Sequence, residues 1–572
     1  MFKGTIDRGS LSAATGQQQQ ASQNPAAFVH SLDHPLLESF RWETREQTVL
    51  LCRERCAGPD RLDTPQADWT TQQAAVFCAA HHQWPLDYQS ISIDGRTGTV
   101  TFSAGHGGVA PLYIRVAGAR IDLSWSVADF YPDIDIGDID MERTGLRLTG
   151  TLPYAATTMF RSVFMLTERA SLAVSRDGTV KVTYPAPAKY YVPTPLQDDA
   201  DIPAAACGLL EALLRRWPVR PDAMASEFSG GLDSAVVAAI LAGRHPDLPT
   251  YALEIDGPAR CQQTRRRDLA IDHFGFRDML LPVGAVPMVP STFARHADYE
   301  TAPYNADLQR PLRRLLEAFV GASGARAVAT GTGGDELLMA HAFEQDPEQF
   351  ARNVNDAFLP EAFPPAMAQP LKDRLADYAA HCDRAPFPVL PISALEAQAA
   401  RVPLFTAYGL WPLSPFAQPE AIRFYRSLPL AWRQHKTLHR NLLRHLGYPE
   451  QFLDIPAREN FEPYLTKSLV AGAAEIARDL TRSCYLHEVG LVDADRLIAA
   501  IRAVRPDSTL SDIGFLFHAF NVEYLLRRLG EPRSASSAYA MAPIASATPK
   551  PQAEIRKPAI RQLVRVNHFS KM

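Results

Sequence analysis

MASEFSGGLDSAVVAAILAG, Met224–Gly243, decides the reading of this chain. A short apolar run leads into a glycine turn, and the turn leads into a run with helical spacing of apolar residues. Strand, turn and helix in that order leave the free N–H groups and the positive end of the helix facing whatever binds at the turn, which suits an anion. Gly230 and Gly231 let the backbone approach a phosphate with no Cβ in the way. Ser229 and Ser234 carry hydroxyls that can donate to it. Asp233 can hold a Mg²⁺ ion that offsets phosphate charge. Asp and Ser are also ordinary helix-capping residues. The ordered run Ser229-Gly230-Gly231-Leu232-Asp233-Ser234 is nevertheless far more specific than a lone Gly-x-Gly.

Outward from this loop the texture is that of an α/β domain. AAACGLLEALLRRW precedes it as a helix and TYALEI follows it as a strand, and strands alternating with helices imply a parallel sheet with covered faces. Residues 200–532 form this domain, with helices prevailing after about 340 around proline-rich joints such as AFPPAMAQP. Residues 28–190 read differently. SISIDGRTGTVTFSA, PLYIRVAGARIDLSW and ASLAVSRDGTVKVTY are short strands and hairpins of a mainly β domain, and YYVPTPLQDDADIP is the linker between the two. Residues 1–27, rich in Gln, Ser, Ala and Gly, are expected to be a flexible tail, and residues 533–572 a second low-complexity one with a basic, solvated end.

The 572 residues are too many for one ordinary core. With 46% hydrophobic and 21% charged residues the composition is globular. A net charge of -5 without a basic stripe excludes a nucleic-acid binder as the first expectation. Seven scattered cysteines are not a disulfide framework, and Cys52 with Cys56 lacks the second pair a zinc site needs. No apolar run is long enough for stable membrane insertion and no signal segment is visible, so a cytoplasmic location is expected.

A second glycine-acid segment lies about a hundred residues on. ARAVATGTGGDELL offers a strand followed by Gly331, Gly333, Gly334, Asp335 and Glu336. Together the two segments resemble the phosphate loop and the second acid-bearing turn of the asparagine synthetase family. The resemblance implies ATP as cofactor, cleaved between its α and β phosphates, with Mg²⁺ held by Asp233 and Asp335. The loop residues 229–234 with Gly331, Gly333 and Glu336 would bind the nucleotide. It also implies a degenerate glutaminase-like (Ntn-type) α/β sandwich domain, followed by a doubly wound parallel-sheet ATP pyrophosphatase domain with extra helices.

YGLWPLSPFAQPEAIRFYRSLP, residues 408–429, and HKTLHRNLLRHLGYPEQFLDIPARENF, residues 435–461, extend the resemblance. Lys436 corresponds to the family's helix lysine. The loop lysine of the family is replaced by Arg458, so the catalytic cation is Arg458 or Lys436. His435 and Glu336 are candidate proton acceptors by sequence proximity alone. Trp411 stands where the family carries a glutamate, which argues against simple aspartate activation. GHGGVAPLYIRVAGARIDLSWSVADFY, residues 105–131, is similar to a segment of the family's glutaminase domain. The glutaminase nucleophile is a cysteine after the initiator methionine, and Phe2 offers no nucleophilic atom.

An adenylating domain without a glutaminase must take its amine from elsewhere. Two branches of the family do so, and both are expected to yield an AMP-forming carbon–nitrogen ligase. Lasso peptide macrocyclases join a peptide's N-terminal amine to an Asp or Glu side chain, and a leader-processing protease is then an expected partner. β-Lactam synthetases close a small ring in an amino-acid-derived substrate. DIGFLFHAFNVEYLLRRLG, residues 512–530, resembles the late helix of lasso cyclases and favours the first. An inactive scaffold is the reading from another class, and the intact Ser229, Asp233, Asp335 and Glu336 argue against it.

Overall fold

The computed structural model of the chain describes residues 1–8, 27–43, 46–58, 69–285, 309–341, 344, 363–454, 459–530 and 555–556. The first domain runs β1 (Phe2–Asp7), β2 (Ala27–Ser31), β3 (Leu37–Glu43), β4 (Gln47–Glu54), helix α1 (Thr71–Ala80), β5 (Tyr88–Asp94), β6 (Val100–Ala104), β7 (Leu112–Ala117) and β8 (Arg120–Ser124). Helix α2 (Met141–Thr149), β9 (Val163–Leu166), β10 (Ser171–Val174) and β11 (Val180–Thr183) complete it. The strands form two sheets, ordered β2-β1-β8-β7-β9 and β11-β10-β6-β5-β4-β3, all antiparallel. Strand β4 shows the period of two at work. Its Val49 and Leu51 pack with Trp42 and with Phe77 of α1 in a small outer core, while Leu50 and Cys52 join the main one.

The first eight residues correct the expectation of a tail over 1–27. Strand β1 lies inside its sheet between β2 and β8, with Ile6 opposite Ile121, and Met1 and Phe2 are buried. Of its two partners, β8 is more than a hundred residues away and β2 follows only after a stretch that turns to Ser, Gln and Ala beyond Asp7, so the pairing left no local signal. Cys52 Sγ is 3.8 Å from Met1 Sδ. Burial pushes that thiol up to about 12, so it supplies no thiolate near neutral pH.

Helix α3 (Ile202–Leu214), capped by Asp201, opens the second domain. Then come β12 (Met224–Glu227), α4 (Leu232–Ala242), β13 (Pro249–Glu254), α5 (Arg260–Phe274), β14 (Arg277–Pro282), α6 (Gln309–Ser323), β15 (Ala327–Ala329) and α7 (Gly334–Leu337). They are followed by α8 (Gln369–His381), α9 (Ile392–Ala407), β16 (Trp411–Leu413), α10 (Pro419–Arg426), α11 (Thr437–His445), α12 (Glu462–Arg482), α13 (Ala494–Ala503) and α14 (Leu510–Gly530). The sheet order is β16-β15-β12-β13-β14-β17, and its first five strands are parallel. Strand β17 (Ile555–Arg556), from the stretch expected to be a solvated tail, adds antiparallel to the β14 edge. From β12 the chain winds through β13 to β14 and then returns to β15 on the other side. That reversal makes the carboxyl ends of β12 and β15 the switch point where such sheets bind ligands.

One apolar core runs through both domains, and a buried polar joint crosses between them. Glu54, at the end of β4, accepts the indole N–H of Trp411 at 2.6 Å and that of Trp217 at 3.0 Å on one oxygen. The N–H of Asp87 donates to its other oxygen at 2.8 Å. Burial, reinforced by the neighbouring Asp87 charge, pushes the Glu54 carboxyl up to about 7. Trp411 is fully buried and its indole N–H is taken up by this joint. Among the described residues no helix is long and apolar enough to cross a membrane.

Candidate active site

The glycine loop sits at the switch point. Strand β12 ends at Glu227, Phe228 is buried beneath the turn, and α4 starts at Leu232. Gly230 adopts φ 90°, a conformation glycine reaches without strain. The Ser229 N–H donates to Ser234 Oγ at 3.2 Å, the Gly231 N–H donates to Ser229 Oγ at 3.1 Å, and the two hydroxyls are 3.0 Å apart. From below, the Gln263 amide of α5 donates to the Ser229 carbonyl at 2.9 Å, so the loop is held in a fixed curve. Gly231 is the N-cap of α4 and makes no side-chain cap, which leaves the first-turn N–H groups to an anion.

The second glycine segment packs directly on the first. A Cβ on Gly331 would lie 2.9 Å from Ser234 N, and one on Gly334 would lie 2.8 Å from Asp233 Cβ. Only glycine permits this approach, and it brings the Asp233 and Asp335 carboxylates to one cation. Lys436 Nζ is 2.7 Å from Asp233 Oδ2 and 2.5 Å from Asp335 Oδ1. His435 and Lys436, at φ 53° and 55°, are two consecutive non-glycine residues in the left-handed region just before α11. Strain of this kind costs about 1–3 kcal/mol per residue and is characteristic of functional sites. Here it turns the lysine toward the two acids.

His439, three residues after Lys436 on α11, takes the other oxygen of Asp233. Its Nδ1 is 2.7 Å from Asp233 Oδ1, and its Nε2 is 3.3 Å from the Tyr425 hydroxyl. Burial alone would push the Asp233 carboxyl up, but the hydrogen bond from His439 and the Lys436 ammonium outweigh it and hold the carboxyl below its ordinary value. For Lys436 burial works downward, and the charges of Asp233 and Asp335 overcome it to keep the ammonium charged above its ordinary range.

A divalent cation suits this donor set. Mg²⁺ is bound through one or two carboxylates together with phosphate oxygens and water, without an all-protein cage. Asp233 and Asp335 converge on one point beside the loop, where the Lys436 ammonium sits and would have to share the two carboxylates with the ion, and among the described residues no group of three or more His, Cys, Asp or Glu side chains forms a self-sufficient metal cage. Asp335 is 73% exposed at its side chain while Asp233 is only 13% exposed, so the opening lies on the Asp335 side.

The residues singled out from sequence do not all meet. Glu336 turns away from the acid pair and accepts the Ser393 hydroxyl at 2.6 Å. His435 is exposed. Arg458 lies outside the described residues, while the adjacent Glu459 accepts hydrogen bonds from Gln262 at 3.2 Å and Arg266 at 3.3 Å of α5. Gln263, His439 and Tyr425 escaped the sequence reading. Only His439 carried a signal, its spacing of three from Lys436, although Lys436 itself lies in the left-handed region just before α11 and not on the helix.

Residues 210–396 match the family model described as Asparagine synthase. Comparison with curated proteins gives no match. Among solved structures, a U34-tRNA thiolase from Methanococcus maripaludis is 12% identical, covering 45% of this chain and 81% of that one at a TM-score of 0.17. An NH3-dependent NAD synthetase from Campylobacter jejuni is 12% identical over 45% of this chain and 98% of its own, with a TM-score of 0.18. A glutamine phosphoribosylpyrophosphate amidotransferase from B. subtilis is 12% identical over 64% of this chain and 75% of its own, with a TM-score of 0.17. At such scores these pairs support no argument, and the fold rests on the strand order above. The stretch from α3 into α9, which contains both glycine segments, is thus similar to the asparagine synthase family.

Proposed function

We propose that the chain is an ATP-dependent carbon–nitrogen ligase that activates a carboxylate as an acyl-adenylate and joins it to an amine. The observation that carries this reading is the meeting of Asp233, Asp335 and Lys436 at the mouth of the Ser229–Ser234 loop. The asparagine synthase match over residues 210–396 supports ATP-dependent amide formation as the general activity. In this reading the loop N–H groups hold phosphate oxygens, and Asp233 and Asp335 hold Mg²⁺, which neutralises phosphate charge when bound. Lys436 offsets the charge that builds as the substrate carboxylate attacks the α-phosphate, in a partly enclosed site where such a charge is worth most. AMP and pyrophosphate are the products. Holding the amine beside the activated carboxyl supplies much of the remaining rate.

The finer reading is a macrolactam-forming peptide cyclase, with the N-terminal amine of a peptide attacking an Asp or Glu side chain of the same peptide. The resemblance of the late helix α14, Leu510–Gly530, to that of such cyclases supports it, and a leader-processing protease is then the expected partner. ATP–pyrophosphate exchange tests the whole proposal. Exchange stimulated by a peptide with a free amine and an internal acid supports the cyclase. Exchange stimulated only by small amino-acid-derived carboxylates moves the reading to a β-lactam synthetase-like enzyme. No exchange with either, or exchange that survives Asp233→Asn, rejects the assignment.

A further inference from the structure

We propose that His439 is the positioning residue of the Asp233 carboxylate, and that Tyr425 fixes His439 in turn; the inference rests on the reading of Asp233 as a metal-phosphate ligand. The terminal torsion of an aspartate is soft, so a carboxylate held at one oxygen alone swings about its Cβ–Cγ bond. Asp233 is held at both. Oδ2 faces Lys436 and the opening, while Oδ1 faces inward to His439 Nδ1 at 2.7 Å. A donor is needed at that distance from a carboxylate oxygen, which assigns the ring proton to Nδ1 and leaves Nε2 to accept from the Tyr425 hydroxyl at 3.3 Å.

The surroundings make this contact rigid. His439 and Tyr425 are both fully buried, and the imidazole packs against Phe416 with ring centroids 5.0 Å apart and against Tyr425 at 5.5 Å. Phe416 also backs the second acid segment, where a Cβ on Gly333 would lie 3.2 Å from its carbonyl carbon. The histidine therefore sits where α4, α10, α11 and the Gly331–Asp335 turn come together, and it fixes the plane of the Asp233 carboxylate, the more buried of the two acids. Outer partners of metal-ligating carboxylates act in this way, and their loss typically weakens metal binding about 10–100-fold.

Two polar substitutions separate the two ring nitrogens. His439→Asn keeps a donor where Nδ1 stands, while His439→Gln keeps only the position of Nε2 and leaves Asp233 Oδ1 without its partner. Binding of Mn²⁺, in place of Mg²⁺, to the full chain with an ATP analogue bearing a methylene between its α and β phosphates can be followed by water proton relaxation. The proposal expects His439→Gln to bind Mn²⁺ about tenfold or more weakly, with His439→Asn close to the parent chain. Equal retention in both variants, or an equal loss in both, overturns it. Asp233→Asn is the control: if Mn²⁺ binding survives that change, the reading of the site falls first, whereas loss in Asp233→Asn with full retention in His439→Gln overturns only the role of His439. If His439→Gln fails to fold, His439→Asn with Asp233→Asn decides, a tenfold loss in His439→Asn standing against the proposal.

Discussion

The Lys436 ammonium reaches across from the start of α11 to Asp335, 2.5 Å away on the turn after β15. A lysine held by two acids is a point charge aimed at one place, and Lys436→Met removes it at nearly constant length. Turnover should fall by about 100-fold or more, the scale of losing one preorganised charge donor. Lys436→Arg should restore little, because a planar fork does not fit between two carboxylates set for a compact ammonium. Pyrophosphate exchange measures both, and an unimpaired Lys436→Met would transfer the role to Arg458.

The nucleotide products follow from the loop. The S-G-G-L-D-S run lacks the lysine with which kinase-type loops hold β and γ phosphates. Chromatography of a complete reaction should therefore give AMP and pyrophosphate in equal amounts. Stoichiometric ADP would be incompatible with the proposed activity.

His435 was a candidate proton acceptor, yet it is exposed and strained at φ 53°. His435→Gly should leave turnover near that of the parent chain and raise stability by up to about 1 kcal/mol, the relief of the left-handed conformation less the entropy glycine brings to the unfolded chain. Thermal denaturation beside a rate assay checks this. A folded variant with a collapsed rate would return the proton to His435.

Burial first, and the Asp87 charge second, raise the Glu54 carboxyl to about 7. A folded-state value above the unfolded one means that the folded protein holds the proton more tightly. The stability contributed there is complete below the ordinary glutamate value and is lost as pH climbs through about 7, up to about 3 kcal/mol in all. The Asp87 carboxyl, raised chiefly by burial, shifts stability in the same direction. Glu54→Gln keeps an oxygen for both indoles and should flatten the fall in denaturant midpoint across this range. An equally steep profile in the variant would exclude Glu54 as its source.

The parts of the fold legible in sequence were those encoded locally. The loop, the second glycine-acid turn and the hairpins around Asp94 and Asp177 each carry their turn chemistry and period within a few residues. What stayed hidden was made by distant partners. Strand β1 takes its place from pairing with β8, His439 takes its role from an aspartate two hundred residues earlier, and Trp411 finds its partner in Glu54, at the end of a strand of the other domain. Arg458 was legible as a cation, and its placement falls outside the described residues.

The Glu54 joint also bears on how this chain can be engineered. A parallel-sheet half expressed alone would leave two indole N–H groups, those of Trp217 and Trp411, without the acceptor that the other half supplies. Each such donor costs about 1–3 kcal/mol if it stays out of water, and otherwise the apolar rings around it face solvent. Truncation to a minimal synthetase, or a chimera with the leading domain of a relative, therefore calls for an acidic side chain at the end of β4 and both tryptophans to travel as one set.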